Sequence, residues 1–277
     1  MKKTIVTLLM LSIALFSYSQ MKKVIPQKEV SLLRNEIVMI VLEENDIFSE
    51  ALKKAVEKNW TFSKYKFTTL EELKSKYEEK EVLPMFGFFD GVYTMTDSEG
   101  RSSTYHPSCL GLTQKFRTKT YHDIKGKEVV DFYTFSKDTT ASPSSIEADL
   151  VLITQQINNY LIIRENIENK VKNRHSFFKY VNKKEIKGAK KKVILIYEKD
   201  LRNEFNKSKI KFKYQIVNRE RFNEAILNKE DVLIYYLEGN FHHIISAKNG
   251  QLLHHYSSLF QGVSKAQAQM FNDFGKR

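Results

Sequence analysis

Residues 36–42 read EIVMIVL, residues 48–60 read FSEALKKAVEKNW and residues 64–68 read KYKFT. This succession decides the fold class. The first run is continuously apolar and rich in β-branched side chains, the mark of a strand covered on both faces. In the second, Phe48, Leu52, Val56 and Trp60 recur every four residues, which lines them along one side of an amphipathic helix. Asn45 or Asp46 stands where a helix N-cap belongs. The third run is a short strand. Beyond it, Leu70–Tyr77 predicts a second helix and Val82–Phe89 (VLPMFGFF) a third strand. The order is β-α-β-α-β, and the expected class is α/β.

The same order returns near the C-terminus. Val193–Tyr197 (VILIY) matches the first strand, with Glu198 in the place of Glu43. Lys213-Tyr214-Gln215-Ile216 aligns with Lys64-Tyr65-Lys66-Phe67 at a spacing of 149 residues. At that spacing Glu220 and Phe222 fall on Glu71 and Leu73, and Lys229-Glu230 on Lys80-Glu81. Asp231–Leu237 (DVLIYYL) is a third strand, shifted by about one residue. Two similar halves are therefore expected, a diverged internal duplication with copies near 36–95 and 191–257.

Between the copies, Met95–Leu112 reads as a polar loop containing Gly100, Pro107 and Gly111. Lys115–His122 and Glu128–Phe135 read as an antiparallel hairpin around Asp123–Gly126. A long helix opens near Pro143, with Ser144 and Glu147 in capping-box spacing. Ile146, Leu150, Ile153, Ile157, Leu161 and Ile167 form its apolar stripe, broken only by Arg164. Val263–Phe274 has the spacing of a docking helix. The expected organisation is 1–19 an export signal, 20–143 a first α/β domain, 144–190 the long helix and a basic connector, and 191–277 a second α/β domain.

The element order of the second copy, β-α-β-α-β-β-α, resembles that of thioredoxin-like folds. Leu83-Pro84-Met85 stands where those folds carry their cis-proline. The Cys-x-x-Cys of their redox chemistry is absent, since Glu43-Glu44-Asn45-Asp46 occupies its place. Other three-layer α/β arrangements fit the order equally.

Met1–Ser19 has the pattern of an export signal. Lys2 and Lys3 precede an apolar run, Ile5–Phe16, and Ser17-Tyr18-Ser19 supplies small residues for cleavage, so the mature chain is expected to start at Gln20. The run is short for a membrane span and no second one follows. The expected location is periplasmic or secreted, in a bacterial envelope. That leaves 258 of the 277 residues, 42% of the whole chain being hydrophobic, enough for packed cores. A single cysteine excludes an intramolecular disulfide.

The net charge is +12, and Lys2 and Lys3 leave with the signal. Between Lys170 and Lys192, ten Lys or Arg stand against one acid, Glu185, so this window carries most of the remaining charge. Such a run is a solvated linker or a contact with an anionic partner, an envelope component or a protein. Its confinement and the export signal argue against nucleic acid.

Candidate chemistry is sparse. In Phe241–Tyr256 (FHHIISAKNGQLLHHY), Asn249-Gly250 signals a hairpin. A type I′ turn sets His242 and His255 diagonally on one face and His243 and His254 diagonally on the other. A wider turn including Lys248 sets His243 directly opposite His255. Either brings two imidazoles within reach of zinc or copper, although a zinc site takes three or four ligands. The plainer reading is of ordinary strand residues. His106 and Cys109 form a candidate base–nucleophile pair, weakened by their closeness in sequence. Glu43, Glu44 and Asp46, with Glu198 and Asp200 in the second copy, follow strands whose carboxyl ends border a ligand crevice in open α/β sheets. They serve equally well as helix caps and solvated acids. Trp60, Phe62, Tyr65 and Phe67 suggest an aromatic strip on which a sugar could stack, but they alternate at strand spacing or close a helix face, so most read as core. The expected function is an exported binding or scaffolding protein. The alternative is a hydrolase or transferase using the Cys/His pair or a metal on the histidine hairpin.

Overall fold

The structure, a computed structural model, describes residues 25–78, 83–90, 93–96, 102–105, 108–113, 129–134, 137–167, 188–189, 191–201, 212–238, 241–257, 271 and 274. The export signal, His106, the strand expected over 115–122, residues 170–187 of the basic connector and most of the helix expected over 263–274 lie outside them. The described residues fall in two compact units, Ile25–Ile167 and a second beginning at Glu168. Both are α/β, each built on a mixed sheet.

The first unit opens with helix α1 (Gln27–Asn35) and strand β1 (Ile37–Val41), then α2 (Ile47–Asn59), β2 (Lys64–Thr68), α3 (Leu70–Glu78) and β3 (Met85–Asp90). Short strands β4 (Tyr93–Thr96) and β5 (Ser102–Tyr105) pair with each other. Strands β6 (Ser108–Thr113) and β7 (Val129–Thr134) and the long helix α4 (Pro143–Glu165) complete it. The main sheet runs β2-β1-β3-β6-β7, parallel through β3 and antiparallel beyond.

Each helical crossover returns the chain to the same end of the sheet, so β2 and β3 both run parallel to β1. They lie on opposite sides of β1, and right-handed crossovers then put α2 and α3 on opposite faces. Met39, Val41 and Met85 pack with Leu73 of α3. Val38, Ile40, Phe86 and Phe88 point the other way, where Trp60 stacks on Phe86 at 5.4 Å and Phe48 meets Phe88 edge-on at 6.4 Å. Gly87 is required by the close approach of β1, because a Cβ there would lie 3.1 Å from Val41 Cβ and 3.2 Å from its carbonyl oxygen.

Helix α4 packs on α2 and α1. Every residue from Leu150 to Asn158 is buried, so it is a core pillar rather than a one-stripe helix. Its polar residues are used inward. Asn158 Oδ1 accepts from the backbone N–H of Thr61 at 2.8 Å and of Phe62 at 2.9 Å, and Gln155 donates to Asn59 at 3.1 Å. Arg164 donates to the carbonyls of Ile25 and Ile167, each at 2.6 Å, which explains the one break in the apolar stripe. The N-cap is Ser142, bonded to Ser145 N–H, with Pro143 in the first turn. The Ser144–Glu147 capping box is not formed; Glu147 instead meets Lys58 of α2 at 3.2 Å.

The second unit contains β8 (Ile194–Tyr197), a 3₁₀ turn (Glu198–Asp200), β9 (Tyr214–Val217), α5 (Arg219–Leu227), β10 (Leu233–Glu238), β11 (Phe241–Ser246) and β12 (Leu252–Ser257). Its sheet runs β9-β8-β10-β11-β12, with the same directions as the first. In each sheet the last antiparallel pair carries one register shift, at Leu112/Thr113 and at Ile244/Ile245. One face packs Ile194, Ile196, Leu233, Tyr235, Ile244 and Leu253 against the helical residues Phe271 and Phe274. Phe222, Ala225 and Ile226 of α5 are buried, and Phe222 lies 6.3 Å from Tyr197, which points to the opposite face.

Two sequence expectations change, while the hairpin partner expected for β7, over 115–122, falls on residues outside those described. The polar loop over 95–112 contains β5 and most of β6, where Leu110 and Leu112 alternate into the core behind Ser, Thr and Gly neighbours. The described partner of β7 is β6. Pro84 enters β3 through a trans bond, and the third strand of each sheet runs parallel to the first. A 2-1-3 order with all three strands parallel is the arrangement of doubly wound sheets.

Candidate functional site

The histidine hairpin turns through Ala247–Gly250. Ser246 N–H donates to Gln251 O at 2.9 Å and Gly250 N–H to Ser246 O at 2.8 Å, with Gly250 at φ 69°. A type I′ turn needs positive φ at both central residues. Asn249 does not have it; its side chain accepts from Gln251 N–H at 3.2 Å instead. The wider loop sets His243 opposite His255, His242 opposite Tyr256 and Ile244 opposite His254. His242 and His254 therefore share the face that carries Tyr235 and Phe274.

That face is dry. His242 and Tyr235 are fully buried, and Tyr235 Oη lies 2.6 Å from His242 Nδ1. Burial pushes the His242 imidazole down to about 4, with a smaller contribution from the neighbouring charge of His243. His254, also buried, lies 6.0 Å from the Phe274 ring. On the reverse face His243 is buried 6.4 Å from Tyr236. No three His, Cys, Asp or Glu among the described residues are grouped to hold a metal.

Cys109 lies in β6 with a neighbour on each side, Phe89 of β3 and Thr134 of β7. Its proposed partner His106 falls outside the described residues.

The acids after β1 have definite partners. Asp46 caps α2, accepting from Ser49 N–H at 3.0 Å and from its hydroxyl at 2.9 Å. The Ser49 hydroxyl in turn accepts from Glu43 N–H at 2.9 Å. Lys137, which follows β7, reaches Glu43 at 3.2 Å and Asp46 at 3.5 Å, and its ammonium lies 4.7 Å from the Phe88 ring centre. Since the strand order reverses at β1, the crevice of this sheet lies between the carboxyl ends of β1 and β3. Lys137 crosses it. In the second unit Glu198–Asp200 form the 3₁₀ turn after β8, and Leu201 N–H closes on Glu198 O at 3.2 Å.

Of the aromatic strip, Trp60 and Phe62 are buried, while Tyr65 and Phe67 sit 5.4 Å apart on the edge strand β2. Lys137 and Tyr235 escaped sequence reasoning. Tyr235 carries a weak signal, being a hydroxyl within the apolar run DVLIYYL. Comparison with known proteins finds no family model, no curated protein and no solved structure that matches this chain.

Proposed function

We propose that this chain is an exported protein of two similar halves, the products of an internal duplication, that acts as a binding or scaffolding module. The duplication is supported by the shared strand order and directions and by the register shift at corresponding places of the two sheets. At the 149-residue spacing, Tyr214 falls on Tyr65, Phe222 on Leu73 and Tyr235 on Phe86.

The observation that carries the binding reading is the Lys137 closure. In the first sheet, the place where an open α/β sheet takes a small substrate is spanned by the chain's own cation, acids and aromatic rings. Recognition then falls to outer surfaces, and the basic segment Lys170–Lys192 is the most strongly charged stretch. Its partner is an anionic envelope component, held by charge and weakened by salt.

The test is co-sedimentation of the mature chain with phosphatidylglycerol-containing vesicles and with neutral phosphatidylcholine vesicles at low and high salt. Binding to the anionic vesicles alone, lost in high salt and in a variant with Lys183, Lys184, Lys190, Lys191 and Lys192 changed to Gln, supports the reading. Equal behaviour of the variant, or no anionic preference, overturns it. Export is tested separately by sequencing the N-terminus of the protein recovered outside the cytoplasm, with Gln20 expected first.

A further inference from the structure

The two sheets differ at one corresponding pair of positions in a way that carries chemistry. Phe86 lies beside Ile40 and opposite Leu112, as Tyr235 lies beside Ile196 and opposite Ile244. Leu110 stands opposite Phe88, as His242 stands opposite Leu237. The apolar pair Phe86 and Leu110 of the first sheet is thus replaced by the hydrogen-bonded pair Tyr235 and His242, without exposure of either.

The face bearing this pair is sealed by residues at the end of the chain. The Phe271 ring lies 5.3 Å from Tyr235 and Phe274 lies 6.0 Å from His254. Phe212 meets both, at 6.3 Å and 5.6 Å. A neutral imidazole can accept the tyrosine proton at Nδ1. An imidazolium donates from both nitrogens, so the bond must reverse: Tyr235 Oη becomes the acceptor and its own proton loses Nδ1 as a partner. The imidazolium also places a cation among aromatic rings unless water enters.

We propose that Tyr235 and His242 form an acid-labile latch, in which proton uptake by His242 releases Phe271 and Phe274 and opens this face of the second sheet to water. Among the described residues, the titratable groups around His242 are Tyr235 on β10, His254 and the register partner Tyr256 on β12 and, across its own strand, His243. Phe212, Phe271 and Phe274 bring none. Closure holds His242 near 4, whereas an open imidazole titrates near its ordinary value of about 6.5. The open state therefore gains as pH falls below about 6.5, roughly thirtyfold by pH 5.

The test is hydrogen exchange of the full mature chain, read by mass spectrometry and corrected for intrinsic rates, between pH 7.5 and 5. Peptides containing Phe271 and Phe274 should gain exchange about thirtyfold, while β10 stays protected. The double variant Tyr235→Phe/His242→Leu, which copies the first sheet's pair, should hold those peptides closed at both pH values. Should it not fold, His242→Gln keeps a hydrogen-bonding group beside Tyr235 and does not titrate. No acid-dependent gain in the wild-type chain, the same gain in the non-titrating variant, or simultaneous loss of protection in β10 would each overturn the latch.

Discussion

The ammonium of Lys137 lies 4.7 Å from the centre of the Phe88 ring, so a residue beyond β7 sits over the carboxyl end of β3. The same nitrogen reaches Glu43 and Asp46 at the end of β1. One side chain thereby ties three strands together at the point where their order reverses. The acids there anchor a corner of the fold, Asp46 holding the start of α2 and Glu43 closing the loop through Ser49.

Because Asp46 has two kinds of partner and Lys137 is partly solvated, their removal should differ in size. Asp46→Ala is expected to cost about 1–2 kcal/mol through the lost cap. Lys137→Met should cost about 1 kcal/mol or less, since its ion pairs are exposed to screening. Urea titrations followed by Trp60 fluorescence would measure both. Raising the salt concentration should shrink the Lys137→Met effect and leave most of the Asp46→Ala effect. A salt-independent Lys137→Met effect would mean that the close contact of the ammonium with the Phe88 ring dominates over the ion pairs.

Asn158 makes a stronger prediction. Its Oδ1 serves two backbone N–H groups at once, those of Thr61 and Phe62, and its amide donates to Thr61 Oγ1 at 3.2 Å. Leucine fills a similar volume and satisfies none of them. Two backbone donors are left unpaired, each costing about 1–3 kcal/mol. Asn158→Leu should therefore destabilise the first unit by about 3 kcal/mol, visible as a lower urea midpoint by Trp60 fluorescence. A change below about 1 kcal/mol would mean that water replaces the amide.

What the sequence reveals follows from how local the signal is. Strand β1 and helix α2 are legible because Val38–Val41 and the Phe48–Val56 spacing satisfy their own periods. Helix α1 buries only Val30 and Leu33, too few to establish a period. Strand β6 is disguised because Ser, Cys and Gly alternate with its two leucines, and its partners lie far along the chain. Asn249-Gly250 correctly announces a hairpin, yet the Asn249 side chain bonds to Gln251 and the turn widens. That choice selects between the two histidine registers, which sequence alone leaves open. Lys137 is illegible because its partners lie 91 and 94 residues away.

Gly87 tests the packing of the first sheet. Alanine there needs 3.1–3.2 Å contacts with Val41, half of them to backbone that cannot rotate away. Gly87→Ala should cost about 1–3 kcal/mol by overpacking, and Gly87→Val more. The companion change Val41→Gly should recover part of the Gly87→Ala loss, because it removes the crowded Cβ but leaves the carbonyl. Thermal melts of the single and double variants give the coupling; strict additivity would exclude the Val41 Cβ contact as the cause.

The stability of the second unit should depend on His242 in a defined direction. In the folded chain burial holds this imidazole near 4, below its ordinary value of about 6.5. The unfolded chain therefore takes up the proton first as pH falls. The contribution of neutral His242 is complete above about pH 6.5 and is lost progressively toward pH 4, reaching up to about 3 kcal/mol. Glu230 acts in a different window: its hydrogen bond from Arg221 holds its carboxyl below the usual range, so its stabilisation is lost only as pH falls through the carboxylate range. Urea titrations by circular dichroism at pH 7.5, 6.5, 5.5 and 4.5 should show the decline in wild type and a flatter profile in Tyr235→Phe/His242→Leu. Both proteins should still share the acid loss from Glu230 below pH 4.5. Parallel declines from pH 6.5 to 4.5 would move the proton uptake to another group on that face, with His254, packed against Phe274, the first to substitute.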